Sequence, residues 1–524
     1  MLEKVLNNRI IILYLLPFCL GAASVFSFQP FNLSIINFII LPIFFLLLVY
    51  VKKRSKSKYR KKPYRKNLFL LGITFGFGFY LSGIYWISYS LTFDESFKFL
   101  IPFALILIPL FMSIFMGLTT LIVGQFLSNN FSSLLLFSGS LALSDFIRGK
   151  VLTGFPWNVW GYSWSWFTEI LQLLNLLGLF AFNLLSITIF TIPAILFFNH
   201  TLNKKVLTVS STLIFVFSIY IYGTFSLNKN KEILNYFEES NKIHAKIISP
   251  NFELKYNSSI EEIEKKIIKL IRYSDPDTKK KTLFIWPEGV FTGYNFQEIS
   301  QFGNLIKKNF TKNHLILFGI NTENKMLGTT FNSLVIIDND FKILHKYDKK
   351  KLVPFGEFLP FEIFFNKIGL KKVTEGHGSF SKGNNQETIT IEGLNILPLI
   401  CYEIIFPELI QKADEKTNLI VNISEDGWFG DSIGPHQHFA KAVFRSIENN
   451  SFLLRSANKG ISAIINNKGE IVKQLNADEV GSIEMNIPVM KSEYKNKNDL
   501  IFFILLFTYL SIFIILKNKT NEKQ

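Results

Sequence analysis

The sequence predicts a polytopic α-helical membrane domain of about eight transmembrane helices joined to an α/β domain. Three observations predict it. Apolar runs of spanning length recur through the first 225 residues and return once near the end. From Asn228 to Asp499 charged residues are spread throughout and apolar runs shorten to strand length. The whole chain of 524 residues is 49% hydrophobic, 15% aromatic and only 18% charged, with mean hydropathy +0.27. Soluble domains carry about 25% charged residues, so an ordinary soluble enzyme and a disordered chain are both excluded. Two cysteines, Cys19 and Cys401, are too few for a disulfide scaffold.

A membrane helix needs about 20 apolar residues. Seven candidate spans, some a little shorter, lie within residues 1–225: Arg9 to Phe26, Ile35 to Val51, Leu68 to Leu91, Leu100 to Val123, Ser132 to Phe146, Ile170 to Phe198 and Val206 to Tyr222. The first reads as a retained helix, because no small-residue cleavage site precedes a soluble domain. Residues 500–516 form the eighth span, and the α/β domain, 228–495, is inserted before it.

The net charge of +16 raises a nucleic-acid reading, which the location of the charge excludes. Ten basic residues lie between Lys52 and Lys66 with no acid among them. That run separates two apolar segments, as a positive-inside loop does, and no basic stripe with interleaved aromatics occurs elsewhere. Holding the run in the cytoplasm puts both termini inside and the large domain outside, on the periplasmic face of a bacterial inner membrane.

Within 228–495 the segments Ala245 to Ser249, Thr282 to Trp286, Leu315 to Ile320, Ser333 to Ile337, Ile396 to Ile400 and Leu419 to Ile423 have the composition of buried strands. Helical stretches such as Ser258 to Arg272 separate several of them, which is the α/β pattern. No G-x-G-x-x-G follows a strand, and neither a P-loop nor H-E-x-x-H occurs, so no nucleotide cofactor is implied. His436 and His438 have no further Cys or His nearby, so they read as the start of a helix and no metal site is expected.

Three strands end in a reactive side chain, the position where open α/β sheets place chemistry. Glu288 follows Trp286-Pro287; packing against Trp286 and Phe291 would desolvate it and suit it to general base or acid work. Lys349, Lys350 and Lys351 lead into Leu-Val-Pro-Phe-Gly-Glu, too apolar for a plain charged helix, so one lysine is expected to point inward with Glu357 orienting it. Cys401 ends the apolar run Leu397 to Ile400 and precedes a helix, whose amino terminus would favour the thiolate; Tyr402 and Glu403 adjoin it.

In the order Glu288, Lys349, Cys401, with separations of 61 and 52 residues, these positions resemble the Glu-Lys-Cys set of the nitrilase, or carbon-nitrogen hydrolase, superfamily. The resemblance implies an α-β-β-α sandwich with Cys401 as nucleophile, Glu288 as general base and Lys349 as oxyanion stabiliser. The family lysine stands eight residues before the second Glu, which selects Lys349 over its neighbours. The membrane portion resembles the apolipoprotein N-acyltransferases. The residues that carry this are Gly21-Ala22-Ala23, Phe28-Gln29-Pro30-Phe31, Thr153 to Trp157, Leu352 to Pro360, Trp428 to His438 and Arg455 to Gly460.

That resemblance implies transfer of a fatty acyl chain from a phospholipid to the amino-terminal amine of a diacylglyceryl-cysteine apolipoprotein, through a thioester on Cys401. It further implies supporting roles for Glu357, Tyr402 and Glu403 and substrate contacts at Tyr256 and Trp428; the loop over Gly154 to Trp166, dense in Trp and Tyr, suits the bilayer interface and with the apolar approach Phe358 to Phe365 is expected to guide acyl chains. The resemblance implies no cofactor and a monomer. Two departures stand out: Glu425-Asp426-Gly427 replaces the usual Asn-Asp, and Tyr256 stands where a Trp is usual. The rivals are a membrane-tethered amidase acting on a small amide, for which one helix would suffice, and a transporter or receptor, for which intramembrane charges would be expected.

Overall fold

The computed structural model describes residues 8–54, 64–237, 242–256, 258–326, 328–360, 379–384, 388–391, 393–412, 414, 416–490 and 499–521. The basic residues Lys56, Lys58, Arg60, Lys61 and Lys62, the stretch Phe361 to Phe365 and the end of the α/β domain from 491 to 495 lie outside them. The chain divides into two compact units, Met1–Phe225 with Asn498–Gln524, and Ser226–Lys497.

The first unit is helical. Its elements are α1 (Ile11–Ser27), α2 (Asn37–Arg54), α3 (Tyr64–Ile84), α4 (Ile101–Val123), α5 (Phe131–Lys150), α6 (Leu174–Thr191), the beginning of α7 (Leu202–Asn235), and a C-terminal helix, Leu500–Asn521. Among the described residues six helices are long and apolar enough to cross a membrane: Ser34–Arg54, Tyr64–Thr92, Glu95–Val123, Leu174–Phe197, Leu202–Asn235 and Leu500–Asn518. The other two expected spans fall short for different reasons. α1 is shorter and changes helical type along its length. α5 has 20 residues but runs past Phe146 to include Arg148 and Lys150.

The α5 charges are answered inside the unit. Arg148 Nη2 donates to Asp145 Oδ1 at 2.9 Å, Asn183 Nδ2 donates to Asp145 Oδ2 at 3.0 Å, and the Gly161 N–H donates to Asn183 Oδ1 at 3.0 Å. Both charged side chains are almost fully buried, so they lock α5, α6 and the aromatic loop together rather than line a path.

The second unit is a sandwich of two six-stranded sheets. One has the order β12-β1-β2-β3-β4-β5, built from β1 (Lys242–Ser249), β2 (Thr282–Ile285), β3 (His314–Asn324), β4 (Thr329–Ile337), β5 (Ile343–Asp348) and β12 (Gly481–Pro488). The other has the order β11-β10-β9-β8-β7-β6, built from β6 (Ile389–Ile391), β7 (Leu394–Ile400), β8 (Leu419–Glu425), β9 (Phe452–Asn458), β10 (Ser462–Ile465) and β11 (Ile471–Leu475). In each, three central strands run parallel and the flanking strands antiparallel. Parallel strands are covered on both faces and read as continuous apolar runs, which is why β2 and most of β8 were legible.

Alternate residues divide between two cores. Ala245, Ile247, Leu283, Ile285 and Leu317 meet Ile396, Ile400, Val421 and Ile423 between the sheets. Ile248, Phe284, Trp286 and Phe318 face outward onto Ile263, Ile267 and Leu270 of α8 (Ile260–Ser274). α8 begins with a capping box: Ser259 Oγ accepts from the Glu262 N–H, and Glu262 Oε2 accepts from the Ser259 N–H. On the second sheet α9 (Gly434–Asn449) packs along β9. Helix, sheet, sheet and helix form the four-layer α/β sandwich.

Candidate active site

Carboxyl ends of strands from both sheets converge on one region. β2 and β5 end at the same edge of the first sheet, delivering Glu288 and Lys349. β4 is antiparallel to both neighbours, so its beginning, with Asn332, lies at that edge too. β7, β8 and β9 are parallel and deliver Cys401, Glu425 and Asn458. The turn carrying Glu288 passes close to β3: a Cβ on Gly319 would lie 2.9 Å from Glu288 Cα, so only glycine fits there.

Lys349 is 1% exposed and lies between two carboxylates. Its Nζ is 2.8 Å from Glu357 Oε1 and 3.5 Å from Glu288 Oε1. Burial opposes the ammonium, but Glu288 and Glu357 outweigh it and hold the lysine above its ordinary range. Asn332 Nδ2 bridges the same two oxygens, donating to each at 2.8 Å. The Val353 N–H donates to Glu357 Oε2 at 2.8 Å, which fixes the loop after the lysines. Glu288 Oε2 accepts from the Glu425 N–H at 3.1 Å.

Two expectations are corrected here. Trp286 belongs to the outward core, with its indole N–H donating to Ser274; Asn332, Lys349 and the Glu425 backbone therefore hold Glu288 instead of an indole wall. Cys401 is followed by a short 3-10 turn, Cys401–Ile405, rather than a regular helix. Burial pushes its thiol well above the ordinary range, and the Glu288 charge adds to this while Lys349 opposes it. The resting sulfur is thus a thiol that needs a base, and Glu288 and Lys349 are near enough for their charges to act on it.

Cys401 adopts a left-handed backbone, φ +49°, an uncommon conformation for a residue with a Cβ. A closed network stands behind it. His438 Nε2 faces the Cys401 carbonyl at 3.2 Å and so carries the hydrogen, while Nδ1 accepts from Arg455 Nη2 at 3.1 Å beside Asp426 Oδ1. Arg455 Nη2 donates to Asp426 Oδ2 at 2.8 Å, and Arg455 also holds Asn422. Burial opposes the Asp426 charge, but Arg455 and His438 outweigh it and hold the carboxylate well below its usual range. His438 is therefore a buried positioning group within α9. The sequence marked the segments that hold His438 and Arg455 but not their pairing through Asp426, because the members lie on four separate segments.

Glu403 is fully buried and ties the two sheets together. Its Oε1 accepts from Tyr347 Oη at 2.9 Å, the Lys350 N–H at 2.8 Å and the Lys351 N–H at 3.0 Å; Oε2 accepts from the Ile400 N–H at 2.9 Å. It thereby sets the distance between the lysine loop and Cys401. Tyr402 is half-buried, edge-on to Phe406. Tyr256 and Trp428, with ring centroids 6.1 Å apart, line a cavity of about 110 Å³ together with Glu288, Asn332, Glu357 and Glu425. Asn332 was missed by sequence reasoning; a single Asn at the head of the apolar strand Ser333 to Ile337 was the available signal.

Residues 20–192 match the family described as the apolipoprotein N-acyltransferase N-terminal domain, and residues 251–493 match the carbon-nitrogen hydrolase family. An apolipoprotein N-acyltransferase of Bradyrhizobium diazoefficiens is 32% identical over 89% of this chain and 88% of its own length. The chain belongs to the apolipoprotein N-acyltransferase family. A member from Rickettsia typhi is also 32% identical, over 94% of this chain and 97% of its own. Among solved structures, a carbon-nitrogen hydrolase from Helicobacter pylori is similar to 48% of this chain and 91% of its own, at 17% identity and TM-score 0.37. Membership of the acyltransferase family, with the apolar helices, makes this chain an enzyme of the bacterial membrane.

Proposed function

We propose that this chain transfers a fatty acyl group from a phospholipid to the amino-terminal amine of a diacylglyceryl-cysteine apolipoprotein, in two steps through a thioester on Cys401. The observation that carries this reading is the convergence of Glu288, Lys349 and Cys401 from two sheets in a chain of this family. Glu288 removes the thiol proton as sulfur attacks the ester carbonyl. Lys349 lies where negative charge develops on the carbonyl oxygen, and fixed donors there stabilise the transition state. Glu288 then returns the proton to the departing lysophospholipid alkoxide, leaving the thioester.

In the second step the amine attacks the thioester, the C–N bond forms and the C–S bond breaks. Lys349 again faces the oxyanion, and Cys401 recovers its proton through Glu288. Tyr256 and Trp428 flank the entering chains, and Glu357, Tyr402 and Glu403 support the machinery. The large unit lies on the periplasmic face with both termini cytoplasmic, supported by the basic residues Lys52 to Lys66 under the positive-inside rule. The enzyme works as a monomer and without a cofactor. The match of residues 20–192 supports this reading over a tethered amidase.

The test is mass spectrometry of the full-length protein after incubation with phospholipid vesicles. The expected result is one acyl mass on the Cys401 peptide, discharged by a diacylated lipopeptide and absent from C401A. Lipopeptide acylation by C401A would overturn the scheme.

A further inference from the structure

Residues 380–383 have no part in the scheme above, yet they are tied to its charged pair. Phe380 lines the cavity. The Phe380 N–H donates to the Glu357 carbonyl at 2.9 Å, the Ser381 N–H to the Thr330 carbonyl at 2.8 Å and the Gly383 N–H to the Lys349 carbonyl at 2.9 Å. Two of those three carbonyls belong to the residues whose side chains pair at 2.8 Å. This strap therefore grips Lys349 and Glu357 by their backbones as well.

Gly383 leaves no room for a side chain. A Cβ there would overlap the Asp348 carbonyl oxygen and lie 2.8 Å from its carbon, and these are backbone atoms that cannot swing aside. Asp348 is itself fixed. It pairs with Ser333 at the end of β5, and its Oδ1 accepts from Ser333 Oγ at 2.6 Å. Any larger residue at 383 must therefore lift the strap. Lys349 would then keep its N–H bond to the Asn332 carbonyl, at 2.8 Å, and lose the bond to its own carbonyl.

A fixed donor stabilises a developing oxyanion because it needs no reorganisation at the moment of reaction. Lysine carries its ammonium on a flexible four-carbon stem, so its aim depends on where its backbone starts and on the carboxylate that receives it. The strap sets both. We propose that Gly383 is a positioning residue for Lys349, keeping the strap seated so that the ammonium stays aimed where the carbonyl oxygen becomes negative. The proposal rests on the acyl-transfer reading above. It gives the strap two tasks: Phe380 walls the cavity, and Gly383 steadies the cation.

The test follows thioester formation on Cys401 in the full-length protein, using mixed detergent micelles of varied phospholipid content. In G383A the rate at saturating phospholipid falls about 10²-fold, the loss typical of a catalytic group displaced by about 1 Å, and the half-saturating content is unchanged. Added to K349M, the same substitution costs less than about twofold more, because effects that run through one group do not add. F380P and F380A both lose the ring, but only the proline loses the N–H to Glu357. F380P is about tenfold slower than F380A at saturation, and this pair stands in if G383A does not fold. A full rate in G383A, a loss confined to the half-saturating content, a loss that adds undiminished to that of K349M, or equal rates in F380P and F380A would overturn the role. No thioester in the parent protein would instead overturn the reaction, and this role with it.

Discussion

The two sheets of the sandwich meet at the same site but handle buried charge differently. The first contributes Glu288, Asn332, Lys349 and Glu357, three of which line the cavity. Their charges are balanced only in part, two carboxylates against one ammonium, so capacity remains for a reacting group. The second sheet sets Asp426, His438 and Arg455 behind Cys401, all essentially without exposure. Those groups satisfy one another and fix the Cys401 carbonyl. Charge that faces a cavity can do chemistry, whereas charge that closes on itself behind Cys401 holds a backbone conformation.

The largest effect expected from this difference is at Lys349. K349M removes the proposed oxyanion donor, for which losses of about 10²–10³-fold in turnover are typical, and leaves Glu288 and Glu357 without their cation, a loss of about 3–5 kcal/mol in stability. Adding E357Q to K349M restores part of the melting temperature in detergent and none of the turnover. Recovery of turnover with stability would erase the distinction between the sheets.

D426N comes next and acts on stability. A carboxylate held below its usual range adds stability that is present above its unfolded pKa, about 3.9, and is lost as pH falls through its lower folded value. The melting difference between parent and D426N is therefore full from pH 7 down to about pH 5 and closes below about pH 4. Turnover at saturating substrate falls less than tenfold, because Asp426 reaches Cys401 through His438 and Ser424 and makes no direct hydrogen bond to the sulfur. A gap that widens on acidification would contradict the depressed carboxylate.

The smallest effect sharpens the link between the sheets. Y347F removes one of the four donors to Glu403, a loss of about 1 kcal/mol, and leaves the Lys350, Lys351 and Ile400 N–H groups in place. Thermal melting and turnover in the same preparation check it; a tenfold fall in turnover would mean that Tyr347 does more than brace the lysine loop.

Legibility in the sequence followed burial. The six strands read from composition are mostly central and covered on both faces. β5 and β11 lie at sheet edges and alternate or face solvent, so they lack an apolar run. β9 was hidden for another reason: Arg455 interrupts Phe-Leu-Leu-Arg-Ser-Ala-Asn, and its charge is acceptable there only because Asp426 and Asn422 meet it from β8 and the turn that follows. α5 was cut short at Phe146 because the polar residues beyond it look like a membrane exit until Asp145 and Arg148 are seen paired.

The sequence by itself determined the helical membrane portion, the inserted α/β domain and the order Glu288, Lys349, Cys401, because apolar length, strand-length periodicity and residue spacing are properties of the linear chain. Only the tertiary structure decided that burial raises the Cys401 thiol above its ordinary range, that Asn332 bridges Glu288 to Glu357, and that Glu425 shares the cavity with Glu288. Those facts depend on burial and on distances between strands of two different sheets. Neither quantity exists until the sheets have packed.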